Sequence, residues 1–268
     1  DVFGIVKERY DPLPVGTPQL ADGRVFGIPL CGKRGKIFLC LRFGRRMINS
    51  LQIRRHLLAL LPGNKPQGIA HHVHNTELHL GLGEEAIIAG VVSHLEDGDA
   101  MALDHRGTSP LLMRGADPLL LLREFMGQPD GLCHGMGGHM HLFEPDLLAA
   151  SSGIVGAAGP AAVGFALAGQ VLRPGAVSVA FFGDGATSQG MLMEAMNLAV
   201  VWKLPVLFVC KDNGWAITTP ADHAVGGNLL KRAEASGLKA LEVDGTDVRA
   251  VWHAAAELIG HARAGQGP

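Results

Sequence analysis

VAFFGDGATSQG (residues 179–190) begins as an unbroken apolar run and ends on one acid between two glycines, Gly183-Asp184-Gly185. A second stretch, VCKDNGWAI (209–217), has the same form, with apolar residues giving way to Asp212, Asn213 and Gly214. Apolar runs of this kind fit strands covered on both faces, and residues 189–202 between them have the length and composition of a helix. Strand, glycine turn, helix and strand make the repeating unit of a parallel sheet. Such sheets bind ligands beyond the carboxyl ends of their strands, so Asp184 and Asn213 are brought to one edge. The main-chain amides of Ala186 to Gly190 open the helix and favour an anion such as a phosphate. One carboxylate and one amide oxygen beside a phosphate is a donor set suited to magnesium. Gly-Asp-Gly alone is also an ordinary turn tripeptide; the pairing with Asn213 is what points to a site. GDGATSQG has neither the G-x-G-x-x-G of a dinucleotide site nor the Gly-Lys-Ser/Thr of a phosphate loop, which sets a nucleotide-binding oxidoreductase aside.

Working outward, the same alternation continues. Helical spacing predicts helices over Met47–Leu61, Glu84–Leu95, Asp117–Met126 with Asp117 as cap, a segment after Pro160, Gln189–Trp202 and Asp247–Ala264. Strands are predicted near residues 101–103 and at 177–182, 206–210 and 241–243. The expected fold class is α/β, a doubly wound, mainly parallel sheet. Residues 127–152 read as a long Gly/His-rich loop and those from 211 to about 228 as a second one. Gly153–Leu172 holds no charged residue, but its Ala/Gly content and Pro160 favour a closely packed buried helix over a membrane span.

Composition narrows the function classes. The chain has 268 residues, 47% apolar, a net charge of -2 and 5% aromatics, which suits a folded core and gives no sign of nucleic-acid binding. Charge is uneven: residues 1–46 carry nine Lys/Arg against four Asp/Glu, and the remainder 14 against 21. The expected division is therefore a basic N-terminal arm, 1–46, and an α/β domain, 47–268. Cys31, Cys40, Cys133 and Cys210 suit reduced thiols of a cytoplasmic protein, and residues 1–20 lack the apolar core of a signal peptide.

The run from Gly183 to Pro220 closely resembles the thiamine diphosphate motif of alpha subunits of the 2-oxo acid dehydrogenase first component. IRRH, LHLGLGEEA, LEDGD, DHRG, CHGMGGHMHLF, GIVGAAGPAAVGFALA, LEVDGTDV and ARAGQGP resemble blocks of that family in family order, over residues 47–268. The pyruvate and acetoin dehydrogenase branch is the most similar, with a branched-chain 2-oxo acid enzyme as the alternative. The resemblance implies a thiamine diphosphate-binding fold, with Mg2+ held by Asp184, the Asn213 side chain and the Trp215 carbonyl. It places Gly183, Gly185, Ala186 and Arg106 at the diphosphate, Gly153 and Val155 at the aminopyrimidine, and His79 and His105 in catalysis. It further implies a beta subunit in an alpha2-beta2 heterotetramer, a lipoyl-bearing acyltransferase, and decarboxylation of a 2-oxo acid or cleavage of acetoin. A degenerate subunit that keeps fold and partners without turnover is the non-catalytic alternative.

Departures from the family are local. His105 stands where many relatives have Tyr, Thr108 where a second histidine is common, Lys211 where an acid is frequent, and Asp212 where the first of two asparagines is usual. The resemblance also implies truncation, because the chain stops before a further core strand and a loop that covers the diphosphate. His71, His72 and His74, and Cys133, His134, His139 and His141, offer a zinc reading, but they lack the paired spacing of structural zinc modules. For the second cluster the family suggests a loop that shapes the cofactor mouth.

Overall fold

The computed structural model describes residues 3–7 and 78–268. The chain divides into two compact units, one of residues 1–10 with 79–268 and one of residues 11–78. The expected helix Met47–Leu61, the loop after it and the His71–His74 cluster lie outside the described residues.

Strand β1 (Phe3–Lys7) is followed, among the described residues, by helix α1 (Glu85–Val92), β2 (Ala100–Leu103), α2 (Thr108–Met113) and α3 (Pro118–Phe125). Asp117 caps α3 by accepting the Leu119 N–H at 2.7 Å, and Pro118 opens the helix where its missing N–H costs nothing. Then come β3 (Phe143–Glu144), β4 (Ala149–Ser151) and α4 (Ala158–Leu172). Pro160 lies within the first turn of α4 and does not interrupt it, because the first four N–H groups of a helix have no partner inside it. The motif unit follows as β5 (Ser178–Gly183), a 3-10 turn over Asp184–Ser188, α5 (Gly190–Trp202) and β6 (Val206–Asp212). The rest is a hairpin of β7 (Trp215–Ala216) and β8 (Thr219–Pro220), short helices α6 (Ala221–Ala224) and α7 (Leu229–Ala235), β9 (Ala240–Asp244) and α8 (Val248–Arg263). Asp247 caps α8, accepting the N–H groups of Arg249 and Ala250.

The main sheet has seven strands in the order β3-β4-β2-β5-β6-β1-β9. All its pairings are parallel except β3 with β4. Alternate strand residues enter two cores. Met101, Leu103, Val179, Phe181, Leu207 and Val209 pack with Ile87, Ile88 and Val91 of α1 and with Val251, Leu258 and Ile259 of α8. Ala102, Ala180, Phe182, Phe208 and Cys210 pack with Ala162 and Ala166 of α4 and Leu192 and Met196 of α5. Small residues let these helices come close. A Cβ on Gly159 of α4 would lie 2.6 Å from a Leu192 methyl, so a side chain here would have to displace buried Leu192. Among the described residues no helix is long and apolar enough to cross a membrane.

Three features differ from the sequence reading. Residues Phe3–Lys7, assigned there to a basic arm, form an inner strand between β6 and β9. The 127–152 excursion contains β3 and β4, too short to show a period-two pattern. Helix α7 follows the second loop, capped by Asn228, whose side chain accepts the Lys231 N–H.

Candidate active site

The sheet register brings the two motif halves together. Phe182 is level with Cys210 and Gly183 with Lys211, so Asp184 and Asp212 follow at the same carboxyl edge. On the other side of β5, Leu103 of β2 is level with Ser151 of β4. The segment Asp104-His105-Arg106 and the turn containing Gly153 and Val155 therefore leave the sheet at that edge too.

Asp184 starts the 3-10 turn and is 1% exposed, and its Oδ2 has no hydrogen-bond partner among the described residues. Burial, reinforced by the charge of Asp212, raises its pKa to about 6, against the opposing pull of its own and Gly185's main-chain N–H and of Arg106. A buried carboxylate oxygen without a donor is costly unless something binds it. The turn that carries Asn213 is held by its own side chains. The Asp212 carboxylate accepts the Gly214 N–H at 3.0 Å, and Asn213 Oδ1 accepts the Trp215 N–H at 2.9 Å. Gly214 has φ +74°, a conformation that favours glycine. A Cβ on Gly185 would approach the Ala216 Cβ to 2.7 Å, so Gly185 is what allows the Asp184 turn to lie against the β7 hairpin. Gly183 ends β5, Ala186 is buried in the turn, and Trp215 opens β7 with a half-exposed ring.

Arg106 belongs to a buried ion network. Glu84, just before α1, accepts Arg106 Nη1 at 2.5 Å on one oxygen and Lys211 Nζ at 2.6 Å on the other. Lys211 also reaches Asp104 Oδ2 at 2.9 Å. Burial works to lower the Lys211 pKa, but Asp104 and Glu84 outweigh it and hold the ammonium above its ordinary range. Asp104 is the converse: burial raises its pKa and the Lys211 charge brings it below the usual carboxylate value. The substitution at Lys211 therefore does not leave a stray charge at the site. Glu84 was missed in the sequence because one of two adjacent acids at a helix start looks like solvated surface.

Three imidazoles meet beside this network. The His79 and His105 ring centroids are 4.7 Å apart edge to face, and those of His79 and His139 are 5.5 Å apart and stacked. The His79 main-chain N–H donates to His139 Nε2 at 3.0 Å. His139 is buried, and burial, with charges at His79, His105 and His141, lowers its pKa to about 4. Burial also lowers His105, partly offset by Asp104. Both shifts favour the neutral ring, and with a pKa near 4 and its Nε2 already accepting the His79 N–H, His139 suits a structural acceptor rather than a base. Of the Gly/His loop, then, it is His139 that joins the histidines.

No group of three or more His, Cys, Asp or Glu among the described residues could hold a metal ion, which removes the zinc reading for the Cys133 to His141 cluster. Cys133 Sγ instead accepts the Phe143 N–H at 3.1 Å, and His134 Nδ1 lies 3.4 Å from the Pro129 carbonyl oxygen. The turn beyond β4 lies against the Gly/His loop and the start of α5. A Cβ on Gly153 would lie 3.2 Å from Met140 Sδ, and one on Gly156 would lie 2.9 Å from the Gln189 Cβ at the start of α5. Val155 and Ile154 in this turn are exposed, Val155 at 52%.

The alpha subunit of the acetoin:2,6-dichlorophenolindophenol oxidoreductase of Cupriavidus necator is 42% identical over 193 residues, covering 71% of this chain and 58% of that protein. The protein of the same description from Bacillus subtilis is 42% identical over 193 residues, with the same shares. The pyruvate dehydrogenase E1 component subunit alpha of Zymomonas mobilis is 39% identical over 193 residues, covering 71% of this chain and 54% of that protein. The chain thus spans a little over half the length of these relatives. The family described as dehydrogenase E1 component matches residues 72–268, most of the sequence, and the chain belongs to it.

Proposed function

We propose that the chain is the alpha part of a thiamine diphosphate- and Mg2+-dependent 2-oxo acid dehydrogenase first component. It would act on pyruvate or acetoin, pass the acyl group to a lipoyl carrier, and work in the cytoplasm within an alpha2-beta2 assembly. The doubly wound form of the thiamine diphosphate fold belongs to this reading, which the two cores on opposite sheet faces support. The observation that carries it is the orphaned Oδ2 of buried Asp184 at the carboxyl edge of a parallel sheet. A divalent cation there would satisfy that oxygen and reverse the rise in its pKa.

In this reading Asp184, Asn213 and the Trp215 carbonyl hold the metal, and Arg106 with the backbone of Gly183, Gly185 and Ala186 holds the diphosphate. Gly153 and Val155 offer their backbone to the aminopyrimidine. When bound, thiamine diphosphate supplies the carbon nucleophile and electron sink that decarboxylation of a 2-oxo acid needs. His79 and His105 hold or move the proton exchanged at the substrate oxygen, and neutral His139 keeps His79 in place. The exposed Met136, Ile154, Val155 and Ile217, on loops, suit a mouth that a beta subunit covers.

Calorimetric titration with thiamine diphosphate tests the site. Binding is expected to require Mg2+ and to be lost in Asp184→Ala; undiminished affinity in that variant would overturn the assignment. Co-expression with a beta subunit, assayed with pyruvate, acetoin and branched 2-oxo acids, identifies the substrate. Binding without turnover would instead place the chain with non-catalytic subunits.

A further inference from the structure

Glu124 is the most deeply buried acid among the described residues, at 0% exposure, on the last turn of α3. No cation neutralises it in the ion pairs among the described residues; main-chain amides do. Its Oε2 accepts the N–H groups of Cys133 and Gly135 at 2.7 and 2.8 Å, and its Oε1 those of Gly137 and Gly138 at 2.6 and 3.1 Å. Four converging N–H dipoles make a nest for an anion, and here the anion is part of the chain. The wrapping is close. A Cβ on Gly131 would lie 2.6 Å from the Glu124 nitrogen, and Gly135 and Gly138 have φ of +76° and +60°.

His139 is the next residue after Gly138. Beyond it the loop is tied a second time, as Ser151 Oγ on β4 donates to the Met140 carbonyl at 2.9 Å and accepts the Leu142 N–H at 2.8 Å. His139 is thus suspended between an anchor on α3 and an anchor on β4, and from there it receives the His79 N–H. We propose that Glu124 is a positioning residue for the histidine cluster, its carboxylate fixing through four main-chain amides the place where His139 meets His79. The effect on turnover rests on the proposed function; the effect on the loop does not.

The Glu124→Gln variant keeps the shape but replaces one acceptor oxygen with an NH2 group that faces N–H donors. In the chain without cofactor, amide exchange at 133–138 is expected to accelerate about tenfold or more. The 15N signature of His139 Nε2 as an acceptor should weaken with it. In the assembled enzyme, kcat is expected to fall about tenfold while thiamine diphosphate affinity changes less than about threefold. His139→Ala should give a similar loss of kcat with the 133–138 amides still protected, and the double variant should add little to either single one. Unchanged exchange and 15N signals in Glu124→Gln would overturn the proposal, as would cofactor affinity falling in step with kcat. Should Glu124→Gln fail to fold, His139→Ala decides: wild-type kcat there also overturns it. If the wild-type chain binds no thiamine diphosphate, the functional reading fails while the exchange and 15N measurements still test the anchor.

Discussion

Asp184 is held in a place that suits a ligand and harms the bare fold. With its folded-state pKa raised to about 6 from an ordinary 3.8, its neutral form is the one the fold prefers. The stability it contributes is complete below about pH 4 and is lost as pH rises through about 6. The full shift corresponds to about 3 kcal/mol, which screening by water reduces to about 1–2 kcal/mol. In metal-free buffer, Asp184→Asn is therefore expected to be more stable than the wild type at pH 7 by that amount and equal to it at pH 4, as read by urea denaturation. His139 has the opposite sign: its pKa is lowered to about 4 from 6.5, so its contribution is present above pH 6.5 and lost on acidification through about 4. Between pH 4 and 6 the two slopes oppose each other. The Asp184→Asn curve should accordingly fall more steeply with acid than the wild-type curve, and parallel curves would sink the assignment of these shifts. Asp184 and Asn213 were legible in the sequence because each ends an apolar run. Glu84 and Glu124 were not, because an acid at a helix end looks the same whether it meets water or four buried amides.

The Glu84–Lys211–Asp104 network joins the start of α1 to the ends of β2 and β6. It thus sets the distance between a helix and the strands whose edge forms the site. Removing one partner of a buried pair strands the other charge, which costs about 3–5 kcal/mol, whereas removing both costs far less. Lys211→Met is expected to destabilise the chain by about that amount, and Glu84→Gln added to it should return part of the loss. Urea denaturation of the two single variants and the double measures the coupling, and simple additivity would show that the ions are not linked. The long helices were readable from their apolar periods and the strands β5 and β6 from their unbroken apolar runs. The short strands β3 and β4 were not, since two or three residues cannot display a period; β4 depends on pairing with β2, and β3 on pairing with β4.

At the scale of the molecule, the sheet between the motif strands and α8 depends on a segment far away in sequence. β6 and β9 are not paired with each other; β1 lies between them, with Ile5 level with Cys210 on one side and with Glu242 on the other. Charge counting assigned these residues to a basic arm because a five-residue run carries no mark of its partners, and both partners lie about 200 residues further on. The consequence reaches the site, because Lys7 is level with Asp212 and β1 thereby supports the strand that ends in the Asn213 turn. Ile5→Pro tests this without shortening the chain. Proline in an inner strand removes an N–H worth about 1 kcal/mol net, and its ring disturbs the ladder beside it. The expected result is a lower melting temperature with faster amide exchange confined at first to 206–212 and 240–244, while β2 and β4 at the other side of the sheet keep their protection. Thiamine diphosphate affinity should fall with the order of 206–212. A wild-type melt with unchanged exchange in both strands would mean that β6 and β9 hold their places without β1.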